Sequence, residues 1–380
     1  MSAQVMKGLE DVVIDTSSIS LIDGNAGRLI YRGYDIRDLV SLSFEEIAFL
    51  LWNGELPTRS QLYDLKAQFK RERPIDENTI ELIKRLPASA NALDVLRTTI
   101  STIGTGPPLR RPDMNQAIAI TAKIPTINAA FDRIRNGKNP VPPSSEFGHA
   151  ENYIYMMTGE KPDTDKANAL DKYLILLADH AMNASTFTAR VVASTLSDMY
   201  SAITAAVCAL KGPLHGGAPA PALKMLQEIR KPELADAWIR SALAQNHRIM
   251  GFGHRVYRTT DPRAEILRWV AGKVADPDLL RLALQVESTT IRLLHELRPG
   301  KPLYANVDYY SAVVLHSIGL PTDLFTATFA ASRSVGWSAN ILEQDTNNRL
   351  IRPKIEYVGP LNKKTIPLAQ RPDILSVEGN

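Results

Sequence analysis

The chain has 380 residues, 44% hydrophobic and 22% charged, with 44 Lys and Arg against 41 Asp and Glu. That is ordinary globular composition at a length suited to two or three domains, and the charge is too balanced to suggest nucleic acid as the main partner, which would call for a clustered basic surface. Cys208 is the one cysteine, which excludes an intrachain disulfide and gives no sign of an oxidising compartment.

Met1 to Val13 carries Lys7, Glu10 and Asp11 and no apolar core of signal-peptide length. The most apolar long stretch, Ala189 to Leu210, is interrupted by Arg190 and Asp198, so no membrane span is expected. The expectation is a soluble, cytoplasmic protein. Short apolar pieces at Val12–Ile14, Ile19–Leu21 and Leu29–Tyr31, with the turn signal Asp23-Gly24-Asn25, predict a small β element at the start. Helical patterns dominate afterwards. Ser43 and Glu46 have capping-box spacing ahead of Ile47–Leu51, and Gly54 and Pro57 are stop signals. Further helices are expected over 62–69, 80–86, 95–103 and 115–134. Pro/Gly-rich breaks lie at 104–112 and 136–145. The second half predicts helices over 167–177, one long Ala/Ser/Thr-rich run over 185–210, then 223–229, 234–244, 262–274, 279–297, 309–318 and 326–342. With no repeat and no strand–helix alternation, the fold class is mainly α.

Three of the seven histidines sit where core packing does not ask for them. His215 lies in Gly212-Pro213-Leu214-His215-Gly216-Gly217, His254 in Gly251-Phe252-Gly253-His254-Arg255, and His180 follows Asp179 at the end of an apolar helix. Glycines beside a histidine let a ligand approach the backbone; a turn that merely contains a polar residue is the plainer alternative. There is no third glycine for a dinucleotide fingerprint, no Walker loop, no HExxH or cysteine pair for zinc, and no Gly-x-Ser-x-Gly elbow. No metal is expected. Asp308, in Asn306-Val307-Asp308-Tyr309-Tyr310, is either a partly desolvated base or the N-cap of the helix that follows. Arg333 lies in an apolar stretch and needs an anionic partner, either a small carboxylate ligand or a protein carboxylate such as Glu343. Arg258, Arg263 and Arg352 are further anion-binding candidates; solvated surface charge is the alternative for Arg258 and Arg352.

In this order, the segments Leu177–His180 with Asn183–Phe187, Gly212–Ala218, Arg248–Arg258 with Asp261-Pro262-Arg263, Asn306–Ser311, Ile22–Gly24 with Tyr31–Gly33, and Ile341–Gln344 resemble those of the citrate synthases. The resemblance covers nearly the whole chain. It implies a two-domain helical fold: a large domain from 1–212 and 312–380, and a small inserted domain over 213–311, with the active site in the cleft. It also implies a homodimer in which Arg352 reaches the partner's site. The implied substrates are oxaloacetate and acetyl-CoA, with no cofactor. The implied roles are Asp308 as base on the acyl methyl group, His215 as donor to the thioester carbonyl, and His254 as donor to the ketone of oxaloacetate. His180, His254, Arg263, Arg333 and Arg352 would hold oxaloacetate or citrate. Leu214, Ile249, Met250, Gly251, Phe252, Gly253, Arg258 and Asn306 would bind CoA. Departures from the family pattern are Pro219-Ala220 in place of Asn-Glu, Ala305 in place of proline and Ala312 in place of glycine. Within the resemblance, 2-methylcitrate synthase on propionyl-CoA and citryl-CoA lyase are rival readings. A catalytically silent helical binding protein is a third.

Overall fold

The computed structural model describes residues 5–9, 12–106, 111–216, 219–297 and 303–371. It divides into two units, Ser17–Leu350 and the two chain ends, Met1–Thr16 with Ile351–Asn380. In the second, the described residues are mostly irregular, with single 3-10 turns at Lys7–Leu9 and Leu368–Gln370. Val12–Ile14 forms no strand and is exposed: among the described residues no strand pairs with it.

The larger unit opens with three antiparallel strands, β1 (Ser20–Asp23), β2 (Arg28–Tyr31) and β3 (Tyr34–Asp35). Ser20 lies opposite Tyr31 and Asp23 opposite Arg28, and Tyr34 pairs back with Tyr31. Asp23 closes the turn by accepting from the amides of Asn25 and Ala26 at 3.1 and 2.9 Å. The turn has a task beyond connection. The Gly24 carbonyl accepts from Arg258 N at 2.9 Å, and a Cβ at Gly24 would meet the Val256 carbonyl oxygen at 2.3 Å. The hairpin therefore grips the loop that carries His254.

The helices follow in chain order: α1 (Ile36–Leu39), α2 (Phe44–Asn53), α3 (Arg59–Glu72), α4 (Glu77–Arg85), α5 (Ala92–Ile103), α6 (Met114–Arg135), α7 (His149–Thr158) and α8 (Thr164–Leu177). Then come α9 (Ala184–Ser194), α10 (Met199–Leu210), α11 (Pro219–Ile229), α12 (Ala235–Ala244), α13 (Pro262–Val274), α14 (Pro277–Leu297), α15 (Val307–Ser317) and α16 (Phe325–Thr346). Glu46 begins α2 as its spacing predicts, accepting from Ser43 N at 2.8 Å. The long run expected over 185–210 is two helices. Leu196 adopts φ 67, and Asp198 caps a new start by accepting from Ser201 N at 2.9 Å, so a local side-chain acceptor outweighs continuous propensity. Helix α7 has no forecast in the sequence because its buried face includes His149 and Asn152, which do not register as apolar periodicity.

Helix α16 is the centre of the core, buried along most of its 22 residues and packed against α6, α8, α9 and α10. Helix α8 also packs against α13 and α15. Gly336 allows the tightest approach: a Cβ there would lie 2.3 Å from the Ala178 carbonyl and 2.4 Å from Asp179 Oδ1. This contact brings the middle of α16 onto the end of α8. Among the described residues no helix is long and apolar enough to cross a membrane.

Candidate active site

Five element ends converge on one region. These are the turn after α8, the N-terminus of α9, the loop after α10, the 249–261 loop running into α13, and the N-terminus of α15. The middle of α16 supplies its floor.

Asp308 is not the cap of α15. That position belongs to Asn306, whose Oδ1 accepts from Asp308 N at 3.0 Å. With the cap filled, the carboxylate of Asp308 is left without a hydrogen bond from any described residue. Burial pushes its pKa up to about 6; the Arg263 charge opposes this and Asp261 adds to it.

His215 Nε2 lies 2.8 Å from Ser185 Oγ and accepts from Ser185 N at 3.3 Å. A backbone N–H can only donate, so Nε2 is the acceptor and the neutral ring carries its proton on Nδ1. Trp337 Nε1 donates to the same Ser185 Oγ at 3.0 Å, which helps to hold it in place. Burial, then the Arg333 charge, lowers the His215 pKa to about 4. His254 is set the opposite way. Its Nδ1 accepts from Val256 N at 3.0 Å and Tyr257 N at 3.1 Å, so the proton is on Nε2. Burial and Arg263 hold it at about 4, with Asp261 acting against them. His180 stands edge-on to His254, ring centroids 5.5 Å apart, and its Nε2 lies 3.3 Å from the Tyr257 hydroxyl. Burial, then Arg263, Arg333 and His254, holds it well below the usual histidine range. All three rings are neutral donors.

Arg263 is buried and gripped by Asp261 through Nε at 3.0 Å and Nη2 at 2.9 Å. Asp261 Oδ2 also accepts from Val307 N at 3.1 Å, tying the start of α13 to the start of α15. Arg333 is 2% exposed; its Nε donates to the Leu177 carbonyl at 2.7 Å and its guanidinium lies 4.7 Å over the Phe329 ring. The charge nearest to it in effect is Asp179. Glu343 is not its partner: that carboxylate accepts from Arg190 and from Ser18 N. No described residue accepts from the terminal nitrogens of Arg333, and they are not sealed from solvent.

The expected CoA segment is strapped to the Asp308 segment. Gly253 N donates to the Tyr304 carbonyl, Asn306 N to the Gly251 carbonyl and Asn306 Nδ2 to the Gly253 carbonyl, each at 2.9 Å. Phe252 bridges to Ala305 and packs 5.1 Å from Tyr309. Ile249 is buried, Met250 half-buried, Arg258 exposed and Leu214 95% exposed. Ala312 is buried one turn beyond Asp308; Pro219 and Ala220 start α11. Gly217 and Ala218 lie outside the described residues. Arg352 belongs to the unit of the chain ends, where it is exposed. Site residues without an individual forecast are Ser185, Trp337, Tyr257 and Asp261. Asp261-Pro262 is a readable cap-and-N1 signal, but a cap that also grips the arginine two residues on has no separate signature.

The model of the family described as "Citrate synthase, C-terminal domain" matches residues 8–354. The chain is 46% identical to citrate synthase 2 of Bacillus subtilis, over 96% of this chain and 99% of the relative. It is 40% identical to a 2-methylcitrate synthase of Mycobacterium tuberculosis, over 93% and 91%. Among solved structures it matches citrate synthase from Thermoplasma acidophilum in a ternary complex with carboxymethyl coenzyme A and oxaloacetate. That match has TM-score 0.90 and 35% identity, covering 97% of this chain and all of that one. Citrate synthase from Thermotoga maritima matches with TM-score 0.87 and 40% identity, over 97% and 100%. With a family model spanning nearly its whole length and relatives matched end to end, the chain belongs to the citrate synthase family.

Proposed function

We propose that this protein condenses acetyl-CoA with oxaloacetate and water to give citrate and CoA. The observation that carries the reading is the pairing of one hydrogen-bond-free carboxylate with neutral histidines of fixed, opposite tautomers. Asp308, with its raised pKa, takes a proton from the acyl methyl group. Nδ1–H of His215 donates to the thioester oxygen and stabilises the enolate that forms. The new carbon–carbon bond joins that carbon to the ketone carbon of oxaloacetate, and the ketone oxygen takes the Nε2 proton of His254. Water then cleaves the thioester of the citryl-CoA so formed, releasing CoA and citrate. Each acid–base contribution is worth about 10²–10⁴ in rate. Arg263, Arg333 and His180 hold the carboxylates of oxaloacetate. Arg352 contributes to the neighbouring site of a homodimer, and the stretch 213–311 moves as a small domain that closes the cleft. The Ile249–Gly253 loop, Leu214, Arg258 and Asn306 hold CoA. No cofactor takes part, and the setting is cytoplasmic.

The similarity to a 2-methylcitrate synthase supports a second reading with propionyl-CoA. One methylene in a pocket discriminates by about 1–3 kcal/mol. Steady-state kinetics with acetyl-, propionyl- and butyryl-CoA against oxaloacetate, following both CoA release and the acid product, decide between them. Highest kcat/KM with acetyl-CoA supports citrate synthesis; preference for propionyl-CoA moves the assignment to 2-methylcitrate. Absence of turnover with every acyl-CoA would overturn both.

A further inference from the structure

The reaction scheme leaves one buried polar side chain beside the histidines without a task. Tyr257 is 4% exposed, yet it makes contact with three groups of the site. Its hydroxyl lies 3.3 Å from His180 Nε2. Its ring centroid is 4.6 Å from that of His254, tilted by 47°, and the Arg263 guanidinium lies over the ring, 5.9 Å from its centroid. Its backbone N–H is one of the two that donate to His254 Nδ1. The loop bearing it is held by the hairpin through the Arg258 N to Gly24 carbonyl bond, so Tyr257 is not free to drift.

The direction of the hydroxyl contact follows from donor and acceptor strengths. A phenol is a good donor and an unprotonated imidazole nitrogen a good acceptor, whereas a phenol oxygen accepts weakly. The O–H therefore points to Nε2. Burial keeps the phenol well above its usual range and keeps His180 neutral, so the proton stays on oxygen. A neutral imidazole that accepts at Nε2 carries its proton at Nδ1, and no described residue takes a hydrogen bond from His180 Nδ1.

We propose that Tyr257 is a positioning residue: its hydroxyl fixes His180 as the Nδ1–H tautomer, while its backbone N–H and ring hold His254 as the Nε2–H tautomer and in orientation. One residue thereby aims two imidazole donors at the same ligand. What those donors face rests on the functional reading above; the tautomers do not.

The test uses the full chain with nitrogen-15-labelled histidine, as wild type and as Tyr257→Phe, with His180→Gln and His254→Gln spectra to assign the signals. The wild type should show His180 unprotonated at Nε2. In Tyr257→Phe, His180 should become a mixture of tautomers, while His254 keeps its proton on Nε2 because both backbone donors remain. In kinetics, Tyr257→Phe should raise the KM for oxaloacetate about tenfold, the effect of one hydrogen bond, with the KM for acetyl-CoA unchanged. An unaltered His180 tautomer in the variant overturns the proposal. So does a loss spread equally over both substrates with a lowered Tm, which is the mark of packing alone. If the wild type makes no product, the functional reading fails, and the nitrogen spectra still decide this inference.

Discussion

Two regions of the molecule bury the same kinds of charged group, and only one has the makings of a site. At the α2–α3–α7–α8 junction, Glu45, Arg73, His149 and Asp171 gather; at the other end of α8 stand His180, Arg263, Arg333 and Asp308. Both regions contain a carboxyl group raised to about 6 by burial, Asp171 and Asp308. Both contain a histidine held well below its usual range by burial. The hydrogen bonds differ. Around Arg73 the partners are internal: the Phe147 carbonyl accepts at 3.0 Å, Glu45 forms an ion pair at 3.8 Å, and His149 N donates to Glu45 at 3.0 Å. Asp171 accepts from Phe44 N at 3.1 Å. What is left over there, Arg73 Nε and both ring nitrogens of His149, is sealed from solvent, with the His149 ring stacked 4.9 Å from Phe44. Around Asp308 the carboxylate itself, the terminal nitrogens of Arg333 and one N–H on each histidine are left over and unsealed, while the Tyr173 hydroxyl, within electrostatic reach of Asp308 and Arg333, is left over and sealed. A shifted pKa therefore reports burial in both places. Reachable, uncommitted hydrogen-bonding capacity is what separates a ligand site from a buried structural cluster.

The comparison is sharpest for the two carboxyl groups. Asp308→Asn should lower kcat by about 10²–10⁴ with little change in Tm, because Asn306 still caps α15. Asp171→Asn should leave kcat within about threefold, since that group touches no substrate. Asp308 must be ionised to act, so kcat/KM of the wild type should fall as pH drops through about 6. A flat profile across that range would remove Asp308 as the base.

The hairpin grip gives a smaller effect. Gly24→Ala places a methyl 2.3 Å from the Val256 carbonyl and should displace the His254–Tyr257 loop. A shift of about 1 Å can cost up to about 10²-fold; kcat/KM should fall by that order or somewhat less. Unchanged kinetics would mean the loop is aimed from elsewhere.

His149→Phe should be nearly silent in activity and visible only in acid. His149 has a folded pKa below its unfolded value, so the unfolded state binds the extra proton first. Its contribution is therefore intact above about pH 6.5 and is lost as pH falls from there toward the folded pKa. Replacing it with phenylalanine should flatten that acid-side loss in urea unfolding curves at pH 5 and pH 7.5, with kcat unaltered. An equally steep acid loss in the variant would assign it to the site histidines instead.

Much of this was legible in the sequence for physical reasons. Gly-flanked histidines, Asp-Pro-Arg and Asn-Val-Asp are local patterns, and local patterns locate His215, His254, Arg263 and Asp308 without a fold. The strand–turn–strand start and most helix limits are likewise set by caps and periodicity. The second acceptor at Asp198 that splits α9 from α10 was present in the sequence but outweighed by the Ala-rich composition around it. The pairings that choose tautomers, Ser185 with His215 and Tyr257 with His180, join residues 30 and 77 positions apart. The choice between Asp308 as base and as cap depended on Asn306, two residues away, taking the cap first.

The most direct test of the central claim is a calorimetric titration of oxaloacetate into the wild type, Arg333→Lys, Arg333→Gln and Arg73→Lys, with circular dichroism to verify folding. Lysine keeps the charge but not the planar fork. Both Arg333 variants should bind at least about 30-fold more weakly, the effect of removing one partner of a buried charged pair at about 2 kcal/mol or more. Arg73→Lys should bind oxaloacetate as the wild type does. Unchanged affinity in folded Arg333→Gln, or an equal loss in Arg73→Lys, would contradict the account.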